Sequence, residues 1–213
     1  MSVGQLPVVE SRASSFSYQC RACSRCCYGR RIQVNPYELA RLARGLGITT
    51  TEVIARFTVD GGTALANRSD TSCTFLGAHG CTVHPDRPLV CRLYPLGRIV
   101  DGNGHEAFIN NQPHPQTEGL YGTDGTVGSF IESQSVDPYI AAANRYFAVY
   151  TQLMSASARD HEPNLDIDPR AFIDADLAVQ MNGASGNAPP PTSVDALVEA
   201  HLAIIEEWAR QLG

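Results

Sequence analysis

Seven cysteines stand at positions 20, 23, 26, 27, 73, 81 and 91, and none occurs in the rest of the 213-residue chain. Cys20, Cys23 and Cys26 are spaced at two-residue intervals, and Cys27 follows directly. Thiols crowded in this way are halves of disulfides or ligands of a metal. Disulfides need an oxidising compartment, and an odd count leaves one thiol over. The opening "MSVGQLPVVESRASSFSY" has no basic stretch followed by an apolar run, so no secretory signal is expected. The expected location is cytoplasmic, where thiols stay reduced. Ligation is therefore the favoured chemistry.

Structural zinc sites usually draw on two separated Cys-x2–4-Cys pairs. Three thiols at two-residue intervals, with another from far away, match bacterial [4Fe–4S] ligation instead. Cys20, Cys23, Cys26 and Cys27 are the candidate cofactor ligands. Neighbouring side chains are expected to diverge, which assigns Cys26 and Cys27 to different ions and suggests two adjacent centres. Two tetrahedral sites need eight ligands and the cysteines number seven, so a histidine is sought. His84 lies in "CTVHPDRPLVC" and His114 in "NNQPHPQTEG". The remaining histidines weigh less: His79 is in a loop, His105 follows a turn, and His161 and His201 lie in the acidic half.

Charge divides the chain. Residues 1–100 hold twelve arginines against six acidic residues, residues 101–213 hold four against sixteen, and there is no lysine. Arg21, Arg25, Arg30, Arg31, Arg87 and Arg92 flank cysteines. Four thiolates on a divalent centre leave a net charge of about −2, which nearby guanidinium groups offset. Local compensation accounts for the basic half better than an anionic ligand, and better still than nucleic acid. The partner is left as an unknown protein or small-molecule substrate. No apolar run is long enough for a membrane span.

The elements that must position these residues are partly readable. "NPYELARLARGLG" begins a helix with Asn35 as cap, Pro36 at the first position and Glu38 three after the cap, and Gly47 ends it. Residues 49–57 form a second helix and "RIQV" (31–34) a short strand. Residues 73–84 read as two strands joined by "GAHG", and "PLGRIV-DGNG-HEAFINN" as a second hairpin. Residues 1–17 read as an arm. Helices dominate after residue 126, including 137–156, where Tyr139, Phe147 and Tyr150 favour burial. A stretch at 169–182 and a last helix capped by Thr192 or Ser193 complete the set. Gly102-x-Gly104 sits in a turn, so it is no dinucleotide fingerprint. Neither a Gly-x-Ser-x-Gly nor a His-Glu-x-x-His motif occurs. Asp166 with Asp168 reads as a solvated loop, and Asp174 with Asp176 as a helix-start cluster.

The order "CxxCxxCC … CTFL … CTVHPDRPLVCRLYP" resembles the YkgJ-type cysteine-cluster family, zinc- or iron-chelating domains, over roughly residues 18–125. The resemblance implies ligation by Cys20, Cys23, Cys26, Cys27, Cys73, Cys81 and Cys91. It also favours His114 over His84, since His114 falls where the family carries an eighth cysteine. It supplies no reaction, and whether the chain is an enzyme is left open.

The expected fold is α+β, a mainly helical, irregular single domain organised around a cysteine-rich metal core, with short hairpins and helices wrapping it. A cysteine-rich metal-binding domain spans 18–125, a helical part 126–182, a flexible linker 183–193 and a C-terminal helix 194–213. The expected cofactor is an iron–sulfur cluster, [4Fe–4S] in the bacterial manner, in a redox or catalytic role. The alternative is two zinc ions stapling a binding module.

Overall fold

The computed structural model describes residues 9–157, 167–183 and 191–212. His161, Asp166, the first eight residues and 184–190 of the expected linker lie outside them. Along the chain come β1 (Val9–Glu10), β2 (Ser15–Gln19), α1 (Pro36–Leu46), α2 (Thr50–Phe57), β3 (Thr58–Val59) and β4 (Ala64–Leu65). There follow β5 (Leu76–Gly77), β6 (Gly80–Cys81), α3 (Leu89–Leu93), β7 (Leu96–Val100), β8 (Glu106–Asn110) and β9 (Leu120–Thr126). The rest is helical: α4 (Val127–Ser133), α5 (Asp137–Ser157), α6 (Ala175–Gly183) and α7 (Val194–Leu212). With only short antiparallel pairings beside these helices, the class is α+β. No helix among the described residues is long and apolar enough to cross a membrane.

The chain divides into two compact units, each assembled from three separate stretches. The first comprises Met1–Ile32, Asn67–Thr82 and Pro88–Asp137. Its described part holds three antiparallel sheets, ordered β1-β8-β7, β2-β9 and β5-β6. The stretch expected as an arm is in fact paired: Val9 and Glu10 lie opposite Ile109 and Phe108, and Tyr18 lies opposite Tyr121. Its partners are about a hundred residues away, beyond the reach of any local pattern. Glu106 is clamped by Arg12 at 2.7 Å and Arg98 at 2.5 Å, which ties the arm to the β7-β8 hairpin. The turn of that hairpin contains Gly104 at φ +82°, a conformation suited to glycine, so Gly102-x-Gly104 is a turn as expected. Phe108 is fully buried, and Phe16 packs edge-on against Phe130 at 5.1 Å.

The second unit comprises Gln33–Ala66, Val83–Arg87 and Pro138–Gly213. The start expected for α1 is realised as a reciprocal cap of Asn35 with Glu38, and α2 is capped in the same way by Thr49 with Glu52. Residues 31–34 form no strand; Gln33 makes a single bridge to Ala64. The 169–182 stretch is split into a 3-10 turn at Pro169–Phe172 and α6. The core gathers Leu39, Leu42, Val53, Tyr139, Tyr146, Leu202 and Ile205 with the buried His201. Tyr139 is buried, but Phe147 is 51% exposed on α5, against expectation. On a 3.6-residue period, Phe147 lies about 80° beyond the side of α5 that carries Tyr139.

Asp174 and Asp176 cap helices and touch threonines. Thr50 Oγ1 donates to Asp174 Oδ1 at 2.6 Å, and Thr51 Oγ1 donates to Asp174 Oδ2 at 2.7 Å. Asp174 Oδ1 also accepts the Leu177 amide of α6, while Asp176 Oδ2 accepts the Thr50 amide of α2. Each helix start thus supplies a cap for the other. Asp174 is buried at 3% exposure. Asp168, by contrast, is a half-buried cap ion-paired with the exposed Arg170, whose hydrogen bond lowers its carboxyl to about 2.

Candidate metal centre

All seven cysteines and His114 belong to the first unit. Strand β2 pairs with β9 so that Gln19 lies opposite Leu120. The residues after 19 and those before 120 therefore leave the same end of the sheet. Cys20 and Cys23 emerge there beside the turn that carries His114. Ala22 and Ser24 hold left-handed φ of 54° and 60°, turning the chain twice between Cys20 and Cys26. The first turn aims the Ala22 amide at Cys20 Sγ, 3.4 Å away. Burial raises the Cys23 thiol, but the amides of Glu118 and Arg25 and the Thr117 hydroxyl outweigh it and leave it lowered.

A short helical turn, Arg25–Cys27, closes the knuckle, with the Cys27 amide bonded to Ser24 O at 3.0 Å. Here the expectation of diverging neighbours fails: Cys26 Sγ and Cys27 Sγ are 4.0 Å apart. The tight turn folds one side chain back towards the next. Two thiolates on one zinc ion stand ~3.8 Å apart, from Zn–S bonds of ~2.3 Å at the tetrahedral angle. The observed separation is close to that value.

Cys73 is tied to this knuckle by backbone. Its amide donates to Cys27 O at 2.8 Å, Tyr28 bridges to Ser72, and the Gly29 amide donates to Thr71 O. From there a turn, Leu76 N to Cys73 O, leads into the β5-β6 hairpin, whose Leu76 lies opposite Cys81. Arg68 braces the turn by donating to the carbonyls of Leu76 and Thr74, both at 2.7 Å. Cys91 rides on α3.

The electrostatics place these thiols in one neighbourhood. Cys27 is raised, first by its bond with Cys26, then by burial, then by the charges of Cys26, Cys91 and Cys73. Cys73 is raised by burial, with Cys81 and Cys26 adding to it and Arg68 opposing. Without a cation, one thiolate here suppresses the next. A divalent ion reverses that order by making deprotonation favourable at every ligand.

Cys20 is exposed and the other six are half-buried; the buried core is apolar. None of the seven is in a disulfide. Among the described residues, no three His, Cys, Asp or Glu side chains stand in a ligating arrangement. The donor set nevertheless suits a thiophilic ion: seven thiols in one unit, a pair at ligand spacing, and amide hydrogens aimed at sulfur. Two buried donors near the cysteines, Arg25 Nε and the Tyr94 hydroxyl, have no hydrogen-bond partner among the described residues.

The two histidines differ. His114 is half-buried, and its Nδ1 accepts the Gln116 amide at 3.1 Å. In the neutral ring the proton then sits on Nε2, so ligation through Nε2 requires the proton to move and that bond to be given up. His84 belongs to the second unit, where its Nδ1 accepts from Arg87 Nη1 at 3.1 Å. Arg68, Thr117 and Tyr94 escaped the sequence reading, because their nearness to cysteines depends on strand pairing and turns. Arg68, five residues before Cys73, carried the only local signal.

Residues 19–114 match a family model described as "CxxCxxCC: Putative zinc- or iron-chelating domain". Over this stretch the chain is similar to that domain. The match begins one residue before Cys20 and ends on His114, so all eight candidate ligands fall inside it. No curated protein and no solved structure matches the chain.

Proposed function

We propose that the CxxCxxCC domain binds thiophilic metal through two tetrahedral thiolate-rich sites, the first centred on Cys26 and Cys27. The single observation that carries this is the 4.0 Å separation of their sulfurs. Cys73, backbone-bonded to Cys27, and Cys91, whose charge acts on it, complete that set. Cys20, Cys23 and Cys81 remain for a second ion, with His114 as fourth ligand from the turn whose Thr117 and Glu118 touch Cys23. A closed thiolate set of this kind holds a zinc or iron ion that locks the surrounding loops. Arg68 beside Cys73 offsets part of the excess negative charge.

The [4Fe–4S] reading rests on the Cys20, Cys23, Cys26 spacing, which the same turn preserves. It accommodates the Cys26–Cys27 pair less well, because two corners of a cubane hold their thiolates on separate irons and farther apart. A redox or catalytic role follows only from that reading. Anaerobic purification with metal and acid-labile sulfide analysis separates the two. About two metal equivalents without sulfide support the thiolate sites. Stoichiometric sulfide with broad visible absorption establishes the cluster.

A further inference from the structure

Two buried donors stand out beside the cysteines. Arg25 lies between Cys23 and Cys26, its own amide bonds the Cys23 sulfur, and its Nε has no hydrogen-bond partner among the described residues. The Tyr94 hydroxyl is likewise buried and without a partner. Tyr94 follows Cys91 by one helical turn and its ring packs edge-on against Tyr18 at 6.0 Å. Tyr18 in turn feels the charges of Cys20 and Cys26. Arg30 lies over the other side of this cluster, 5.3 Å from the Tyr94 ring, and donates to Gln112 O. The hydroxyl of Tyr121 neighbours that of Tyr94, and after burial this contact is what raises it.

A buried donor without an acceptor is costly, and natural structures seldom keep one without a reason. Arg25 stands in the chain between two candidate ligands, and Tyr94 packs on Tyr18, which feels the charges of Cys20 and Cys26. Thiolate sulfur accepts N–H and O–H hydrogen bonds, and groups one shell beyond a metal orient and tune its ligands.

We propose that Arg25 Nε–H and the Tyr94 hydroxyl are the positioning donors to the thiolate sulfurs of the bound centre, tuning its affinity without ligating it. This rests on the metal-binding reading above. Neither group accepts or delivers a proton; each supplies a hydrogen bond to sulfur.

The test uses the full chain with Zn²⁺ in competition with a chromophoric chelator, and with Co²⁺ as a spectroscopic probe. Tyr94→Phe removes only the oxygen and keeps the ring against Tyr18. It is expected to weaken Zn²⁺ binding roughly tenfold to a hundredfold. The thiolate-to-cobalt band should move to lower energy, because a sulfur that loses a hydrogen bond is more easily oxidised. The metal-free melting temperature should stay unchanged or rise, since no bond is lost. Arg25→Lys, which keeps the charge but moves the donor, should reproduce the weakening and the band shift. Unchanged affinity and band in both variants overturn the proposal while the metal-binding reading stands. So does a fall in metal-free stability with affinity intact, the sign of a structural hydroxyl. A wild-type chain that takes up neither ion overturns that reading and this inference with it.

Discussion

At the scale of single residues, the knuckle stores strain and concentrates charge. Ala22 holds φ of 54° with a Cβ, which costs about 1–2 kcal/mol relative to an allowed conformation, while glycine gives back part of the gain through its freer unfolded state. Ala22→Gly is therefore expected to raise stability by about 1 kcal/mol, read as a higher denaturation midpoint with an unchanged slope. The Cys26–Cys27 spacing makes a sharper forecast. If both bind one ion, Cys26→Ser, Cys27→Ser and the double variant each lose the same single equivalent of zinc. If they bind different ions, the double variant loses two. His201 sets a pH dependence in the second unit. Burial depresses its imidazole, opposed by its bond to Ala171 O and by the charge of Asp174, while the Tyr146 hydroxyl donates to its Nδ1. The folded state thus prefers the neutral ring. Its contribution is present above the unfolded value of ~6.5 and is lost as pH falls below it, because the unfolded chain then binds the extra proton. Denaturation midpoints between about pH 5 and 7 should fall with acid, and His201→Gln should flatten that slope.

At the scale of elements, the helix starts were the most legible feature. Asn35, Pro36 and Glu38 signal the α1 cap within four residues and the box forms, while α2 forms where a helix was expected, closed by a second box of Thr49 with Glu52. The β7-β8 hairpin was legible for the same reason: its turn chemistry is local. What escaped were partnerships across long separations, such as β1 with β8, β2 with β9, and the exchange of caps between α2 and α6. In the last case, Asp174 and Asp176 advertise a helix start but nothing says that Thr50 will meet them. Thr50→Val removes a buried hydroxyl from two carboxylates, and the loss is expected to cost about 1–3 kcal/mol. A urea titration checks it. The Cys26–Cys27 spacing was misjudged on the same ground, since adjacent side chains diverge in extended chain and a helical turn at 25–27 was not foreseen.

At the scale of the molecule, the seven thiols were legible as a ligand set from their count and spacing, but their assembly was not. Cys27 meets Cys73 through a direct backbone bond beside the Tyr28–Ser72 bridge, and Cys23 meets Thr117 through the β2-β9 register, pairings that span long separations in the chain. Metal binding that draws in half-buried thiols should also brace the loops that carry them. Chelation is therefore expected to open residues 20–32, 67–82 and 88–119 to limited proteolysis. A fragment containing α5, α6 and α7 should persist, because its core is apolar. Mass spectrometry of the early cleavage products distinguishes this from uniform digestion.

The pairing of β2 with β9 has a consequence in time. Ser15 and Thr126 are partners in register, so a ribosome adding residues at ~5–20 per second needs roughly 5–20 s between making the first strand and making the second. During that interval the nascent chain presents Cys20, Cys23, Cys26 and Cys27 with neither the Thr117–Glu118 turn nor Cys91 in place. Oxidants and stray ions can reach these thiols before their native neighbours have been synthesised. Ribosome-stalled chains ending at residue 100 should label at all four with a thiol-alkylating reagent, and chains extended beyond residue 160 should label more slowly at Cys23 and Cys27.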